Sequence, residues 1–143
     1  MQTFLPYPDF AESARTLDRA RLGKQRIEVK QLLRTRMGES DGWINHPAYL
    51  MWEGSPVNLA KYGIEIAKEW INRGYDDNTL PFFESVLKTY SLFADYHQLP
   101  RWIGDENFHR SHRANLVRKM PEHYVPLFGN LSPEPYVWPI RRY

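Results

Sequence analysis

The stretch Arg19–Arg36, RARLGKQRIEVKQLLRTR, sets the reading of this chain. Wound as a helix, it places Leu22, Val29 and Leu33 on one stripe, with Leu32 on its flank. The same helix carries seven basic residues and one acid, Glu28, whereas the whole chain has a net charge of only +2. Positive charge concentrated in this way is the electrostatic footprint of a phosphate-binding surface. At about 100° per residue, Arg21, Lys24, Gln31 and Thr35 share a face with Glu28, and the apolar stripe lies elsewhere. Glu28 is thus either half of an exposed Lys24–Glu28 pair or a catalytic carboxylate held against a nucleic acid. An exposed pair of that kind contributes only about 0.3–0.5 kcal/mol.

Working outward, helical signals dominate. Asp9 followed by Glu12 reads as a capping pair that opens a short helix before the basic one. The basic helix is expected from about Asp18 to Thr35, and MGESDGWINHP after it reads as loop. Ser55 as N-cap, Pro56 at the first helical position and Gly74 as stop bound another helix. Its stripes, Leu59–Gly63–Ile66–Trp70 and Ala60–Ile64–Ala67–Ile71, predict deep burial. A further helix starts at Asn78 or Thr79, followed by Pro81, with Phe82, Phe83, Val86, Leu87, Tyr90 and Phe93 turned inward. The last spans Asp105–Met120 and is stopped by Pro121. No run alternates with a period of two. The expected fold is therefore all-α: one compact helical domain over residues 1–143, ending in a Pro- and aromatic-rich tail.

The chain has no cysteine, which removes disulfides, thiolate metal sites and cysteine nucleophiles from consideration. No apolar run is long enough to span a membrane, and MQTFLPYPDF lacks the pattern of a signal peptide. These features predict a cytoplasmic protein. Phosphate-loop, dinucleotide-binding and serine-hydrolase signatures are absent.

Three further segments carry candidate site residues. Asn45 and His46 sit between Trp43 and Tyr49 and read equally as turn residues or as an edge that contacts nucleotides. His109, Arg110, His112 and Arg113, with Arg118 and Lys119, read as a second basic surface. His109 and His112 could share a metal, but phosphate contact fits better because no carboxylate has partner spacing. The tail PYVWPIRRY interleaves Tyr136, Trp138 and Tyr143 with Arg141 and Arg142. It suits base stacking with phosphate neutralisation, or an aromatic lid over the core.

Four of these features together resemble the pyrimidine-dimer DNA glycosylase family, the endonuclease V-like enzymes of phage and bacteria, and most closely its small bacterial members. They are MQTFLPYPDF, the Glu28 helix, Gly42-Trp43-Ile44-Asn45-His46-Pro47, and Tyr62–Leu80, and they cover about residues 1–80. The tail is loosely similar to an aromatic-basic tail that touches DNA in that family. The resemblance implies an all-α DNA glycosylase with AP-lyase activity, monomeric, without a cofactor, acting on double-stranded DNA. In that chemistry the chain's first α-amine attacks the sugar C1′, an imine links enzyme to DNA, and β-elimination cuts the strand. The catalytic pair maps onto Met1 and Glu28. An α-amine ordinarily titrates at about 7.7–8.0, against about 10.4 for lysine, so it serves as a nucleophile near neutrality. Gln2 departs from the small second residue of the phage enzyme and disfavours removal of Met1, which leaves the amine on Met1. The implied DNA contacts are Arg19, Arg21, Lys24, Arg26, Lys30, Asn45, His46, Arg110, His112, Arg113, Trp138, Arg141 and Arg142. A non-catalytic DNA-binding module on the same fold, and a metal-dependent phosphodiesterase using His46, His109 and His112, are the competing expectations.

Overall fold

Helices form wherever an apolar stripe meets a cap. The computed structural model describes residues 1–140. It contains α1 (Phe10–Thr16), α2 (Arg19–Arg36), α3 (Pro47–Leu50), α4 (Pro56–Asn72), α5 (Leu80–Tyr90), a 3-10 turn (Ala94–His97), α6 (Glu106–Lys119) and α7 (Pro121–Phe128). No strand occurs among the described residues, so the fold is all-α. No helix among them is long and apolar enough to cross a membrane.

Asp9 caps α1 through the N–H of Glu12, and Asp18 caps α2 through the N–H of Arg21. α4 is the central helix and packs on α1, α2 and α5, while α6 pairs with α7. Leu22, Val29, Leu32 and Leu33 of α2 meet Leu59, Tyr62 and Ile66 of α4 in one apolar core. The approach of α5 to α4 depends on Gly63, because a Cβ there would lie 2.8 Å from the ring of Phe83. Gly74, at φ +92°, turns the chain out of α4 as its position predicted.

Four expectations change. The helix expected to stop before Pro121 does so, at Lys119, but it is not the last: Pro121 takes the first position of α7, where a missing N–H costs nothing. Ser55 stands at the start of α4 but makes no cap bond, and its hydroxyl donates instead to the carbonyl of Gln98. Ile71 and Phe93 face outward, and Phe93 lies beyond the end of α5 at Tyr90. A short helix, α3, begins inside the expected loop region, with His46 Nδ1 accepting from the N–H of Ala48.

Candidate active site: an extended chain start held against Glu28

Residues 1–6 are extended in an all-helical protein, so their backbone groups have no ladder to join. Side chains take that role. Gln25 of α2 accepts from the N–H of Phe4 at 2.9 Å and donates to the carbonyl of Gln2 at 2.8 Å, as a neighbouring strand would. The Tyr62 hydroxyl of α4 donates to the carbonyl of Phe4. From α6, His112 Nδ1 accepts from the N–H of Leu5 and His109 Nδ1 donates to its carbonyl. Trp52 Nε1 donates to Thr3 Oγ1, and Arg113 donates to the carbonyl of Pro6. Each buried backbone group paired in this way avoids a penalty of about 1–3 kcal/mol.

This clamp ends at Glu28. The N–H of Gln2 donates to Glu28 Oε2 at 3.2 Å, and Lys24 Nζ lies 3.8 Å from Oε1. The Glu28 side chain is 15% exposed and the Lys24 side chain 77% exposed. The carboxylate therefore looks into the molecule while its cation stays in solvent. Met1, Gln2, Phe4, Arg21, Lys24, Gln25, Glu28, Lys119 and Tyr136 line one open cleft of about 460 Å³. Three cations flank it. Burial, together with the neighbouring charges of Arg21, Arg118 and Lys24, pulls the Lys119 ammonium below its usual range. A larger groove, about 890 Å³, lies between α1, α4 and α5. No expected site residue lines it, and the chemically equipped cleft is the smaller one.

The other expected contacts divide by helix face. Arg21 reaches the cleft while paired with Asp18 at 3.2 Å, and Arg19 is exposed at the start of α2. Arg26 and Lys30, two residues either side of Glu28, point away from the cleft. Arg26 is paired with the buried Asp77 at 2.6 Å and stacked on Trp70, and Lys30 lies over the ring of Phe82. Arg26 is thus a packing and tethering residue, which corrects its reading as a phosphate contact, and neither residue lines the cleft. Asn45 is exposed, whereas His46 is part-buried and contacts both Trp43 and Trp138 edge-on. Trp138 in turn touches Tyr136, which links that loop to the cleft. Trp43 holds a left-handed backbone, φ 64°, uncommon for a residue with a side chain.

The second basic surface is only partly a surface. His109 and His112 are fully buried. Burial, reinforced by His109, drives the His112 imidazole down to about 3, and burial lowers His109 as well. A neutral, enclosed His112 cannot meet phosphate, so that expectation is corrected. The metal expectation also loses its ligands, because Leu5 and the N–H of Gly104 occupy both nitrogens of His109. Among the described residues, no group of three or more His, Asp or Glu could hold a metal ion. Arg110 is exposed and paired with Glu134, while Arg113 is mostly enclosed, paired with Glu106 and set over Tyr7. Residues 131–140 cross α6, with Asn115 donating to the carbonyl of Glu134 and the N–H of Val137 donating to Ser111. Arg141 and Arg142 lie outside the described residues.

Sequence reasoning missed Gln25, and it took Gln2 only as a bar to removal of Met1 and Tyr136 only as a stacking or lid residue of the tail. Gln25 had a readable signal: it falls between Leu22 and Val29 on the buried stripe, where an amide needs partners.

A family model described as pyrimidine dimer DNA glycosylase matches residues 1–81, and the chain belongs to that family. Comparisons with curated proteins and with solved structures gave no match.

Proposed function

We propose that this protein is a DNA glycosylase with AP-lyase activity, acting on damaged or modified pyrimidines in double-stranded DNA. One observation carries the reading: the first residue and Glu28 line the same cation-flanked cleft, with the N–H of Gln2 on the Glu28 carboxylate. Family membership supports the glycosylase class independently.

The steps follow from the groups present. The lone pair of the Met1 amine attacks C1′ of the damaged nucleotide. The bond from C1′ to the base breaks, and its electron pair leaves with the base, which takes up the proton the amine gives. The nitrogen lone pair opens C1′–O4′, and the second proton of the amine passes to O4′, which leaves an imine between Met1 and the sugar. Glu28 stabilises positive charge at the sugar, as carboxylates do in glycoside hydrolysis. It then accepts the C2′ proton, and the electron pair released expels the 3′-phosphate. Water cleaves the imine and restores the amine. Arg21, Lys24 and Lys119 neutralise phosphates on either side, and the target nucleotide leaves the stack to reach the cleft.

Borohydride tests the lyase step, because it reduces the imine to a stable amine. A covalent adduct on an abasic-site duplex, mapped to the first residue by peptide mass, is the expected result. Absence of an adduct, or its location on a lysine, overturns the reading. An intact mass measured beforehand identifies the residue that bears the amine.

A further inference from the structure

Four buried side-chain atoms have no hydrogen-bond partner among the described residues: Gln2 Nε2, Tyr136 Oη, His112 Nε2 and Arg26 Nε. Two of them belong to residues of the cleft, and a third lies behind one of these. Gln2 and Tyr136 line it, and the His112 ring packs against that of Tyr136 with centroids 5.4 Å apart. All three present donors. Gln2 Oε1 already accepts from the N–H of Thr3, so its free end is the NH₂ group. His112 Nδ1 accepts from Leu5, so the proton of the neutral ring sits on Nε2. Burial pushes the Tyr136 phenol up to about 12, so it keeps its proton.

Unpaired buried donors are rare in native proteins because each costs desolvation without a bond in return. Two residues with such donors lining one cleft call for an acceptor that arrives with the ligand. The cleft's other polar groups do not supply one, since Glu28 is already engaged by Gln2 N–H and Lys24. Building on the function proposed above, we infer that Tyr136 Oη and Gln2 Nε2 form a donor wall that holds a carbonyl oxygen of the departing base.

The chemistry gives such a wall a purpose. When the bond from C1′ to N1 of a pyrimidine breaks, its electron pair spreads from N1 onto the adjacent O2. A donor aimed at that oxygen therefore bonds more strongly as the base leaves than before, which is the condition for accelerating the step. Removing one such donor from an enzyme site typically costs about 10²–10³-fold in rate. An abasic site has no base, so the wall contributes to base removal and not to strand scission. His112 does not line the cleft, and its role is to back the Tyr136 ring.

The test is Tyr136→Phe, which removes one oxygen and keeps the ring. Single-turnover strand cleavage is compared on an ultraviolet-irradiated duplex containing pyrimidine dimers and on an abasic-site duplex. The rate on the irradiated duplex is expected to fall at least tenfold further than the rate on the abasic one. The thermal midpoint of the free protein is expected to hold or rise, because the lost hydroxyl has no partner. Equal losses on both substrates, no loss on either, or a lowered midpoint overturns the donor wall and leaves the lyase reading standing. An irradiated duplex that the wild type leaves uncut overturns it as well. A wild type that gives no borohydride adduct on the abasic duplex brings down the underlying reading instead, so the two failures are separable.

Discussion

The backbone N–H of Gln2 and the carboxylate of Glu28 meet at 3.2 Å across 26 residues of sequence. Met1 is one residue further back along the chain and lines the same cleft. This relationship joins the chain start to the only acid of the basic helix, and Glu28→Gln tests it directly. The amide oxygen can still accept from Gln2 but cannot take a proton from C2′. Strand cleavage is expected to fall about 10²–10⁴-fold, the range for a lost general base. DNA affinity by gel shift is expected to stay within twofold, and an unchanged cleavage rate would remove Glu28 from the mechanism.

Gln25 holds the segment that Glu28 meets. Gln25→Leu leaves the carbonyl of Gln2 and the N–H of Phe4 without partners, and takes one acceptor from the Tyr62 hydroxyl. Unpaired groups of this kind cost about 1–3 kcal/mol each, so the urea midpoint should drop clearly. In the folded fraction the turnover number is expected to fall while KM changes little. A fall in stability with an unchanged turnover number would make the clamp purely structural.

Acid destabilisation has a defined window. His112 is neutral when folded, with its pKa down at about 3, whereas an exposed histidine titrates near 6.5. As pH falls below about 6.5 the unfolded chain takes up a proton that the folded protein refuses, so stability is full above that pH and declines below it. The decline is about 1.4 kcal/mol per pH unit and continues toward pH 3, where the folded ring titrates. Asp18 and Asp77 add to it later. Burial opposes their charge, but hydrogen bonds from Tyr124 and Arg21, and from Thr79 and Arg26, keep both below the ordinary aspartate value. Their contribution is present above about pH 4 and is lost as pH drops through their folded values. Urea midpoints from pH 8 to 4 should show the slope, and His112→Asn, which keeps an acceptor for Leu5, should flatten it. A flat wild-type profile between pH 6.5 and 5 would contradict the burial of His112.

Salt sensitivity separates the cations that line the cleft from Arg26, which does not. Lys24→Ala with Lys119→Ala is expected to reduce the slope of log affinity against log salt by about 1–2, one phosphate contact for each lysine. Arg26→Leu is expected to leave that slope unchanged while destabilising the fold by about 3–5 kcal/mol, because it strands the buried Asp77.

Gly63→Ala separates packing from chemistry. The added methyl meets the Phe83 ring at 2.8 Å, so α5 must shift from α4 at a cost of about 1–3 kcal/mol. Neither helix contributes a residue to the lining of the cleft. Calorimetry should therefore show a lower midpoint, with an unchanged cleavage rate at low temperature.

These contrasts also show what the sequence could reveal. The stripe of Leu22, Val29 and Leu33 made α2 readable to within a residue, because that signal is local. Glu28 stood out as the single acid among seven bases. The partners of the chain start did not stand out, since Gln25, Tyr62, His109 and His112 come from three helices whose packing no local pattern encodes. His109 and His112 looked like surface cations beside Arg110 and Arg113, and only burial shows that they serve Leu5. Arg26 and Lys30 were assigned by charge density alone, which carries no information about the side of the helix they occupy. Pro121 was read as a stop, and α6 does end before it, but the same residue also opens α7, which the stop signal alone did not reveal.

The extended chain start is threaded past fixed pegs, not woven into a sheet. Successive residues of an extended segment face opposite ways, so its contacts have a parity. Inserting or deleting one residue anywhere between Gln2 and Leu5 would turn every backbone group before the change away from its peg and slide the chain end along the cleft. A change in length there is a harsher lesion than nearly any replacement of a side chain, and a pair of compensating changes, one removed and one restored, is the form of repair this arrangement allows.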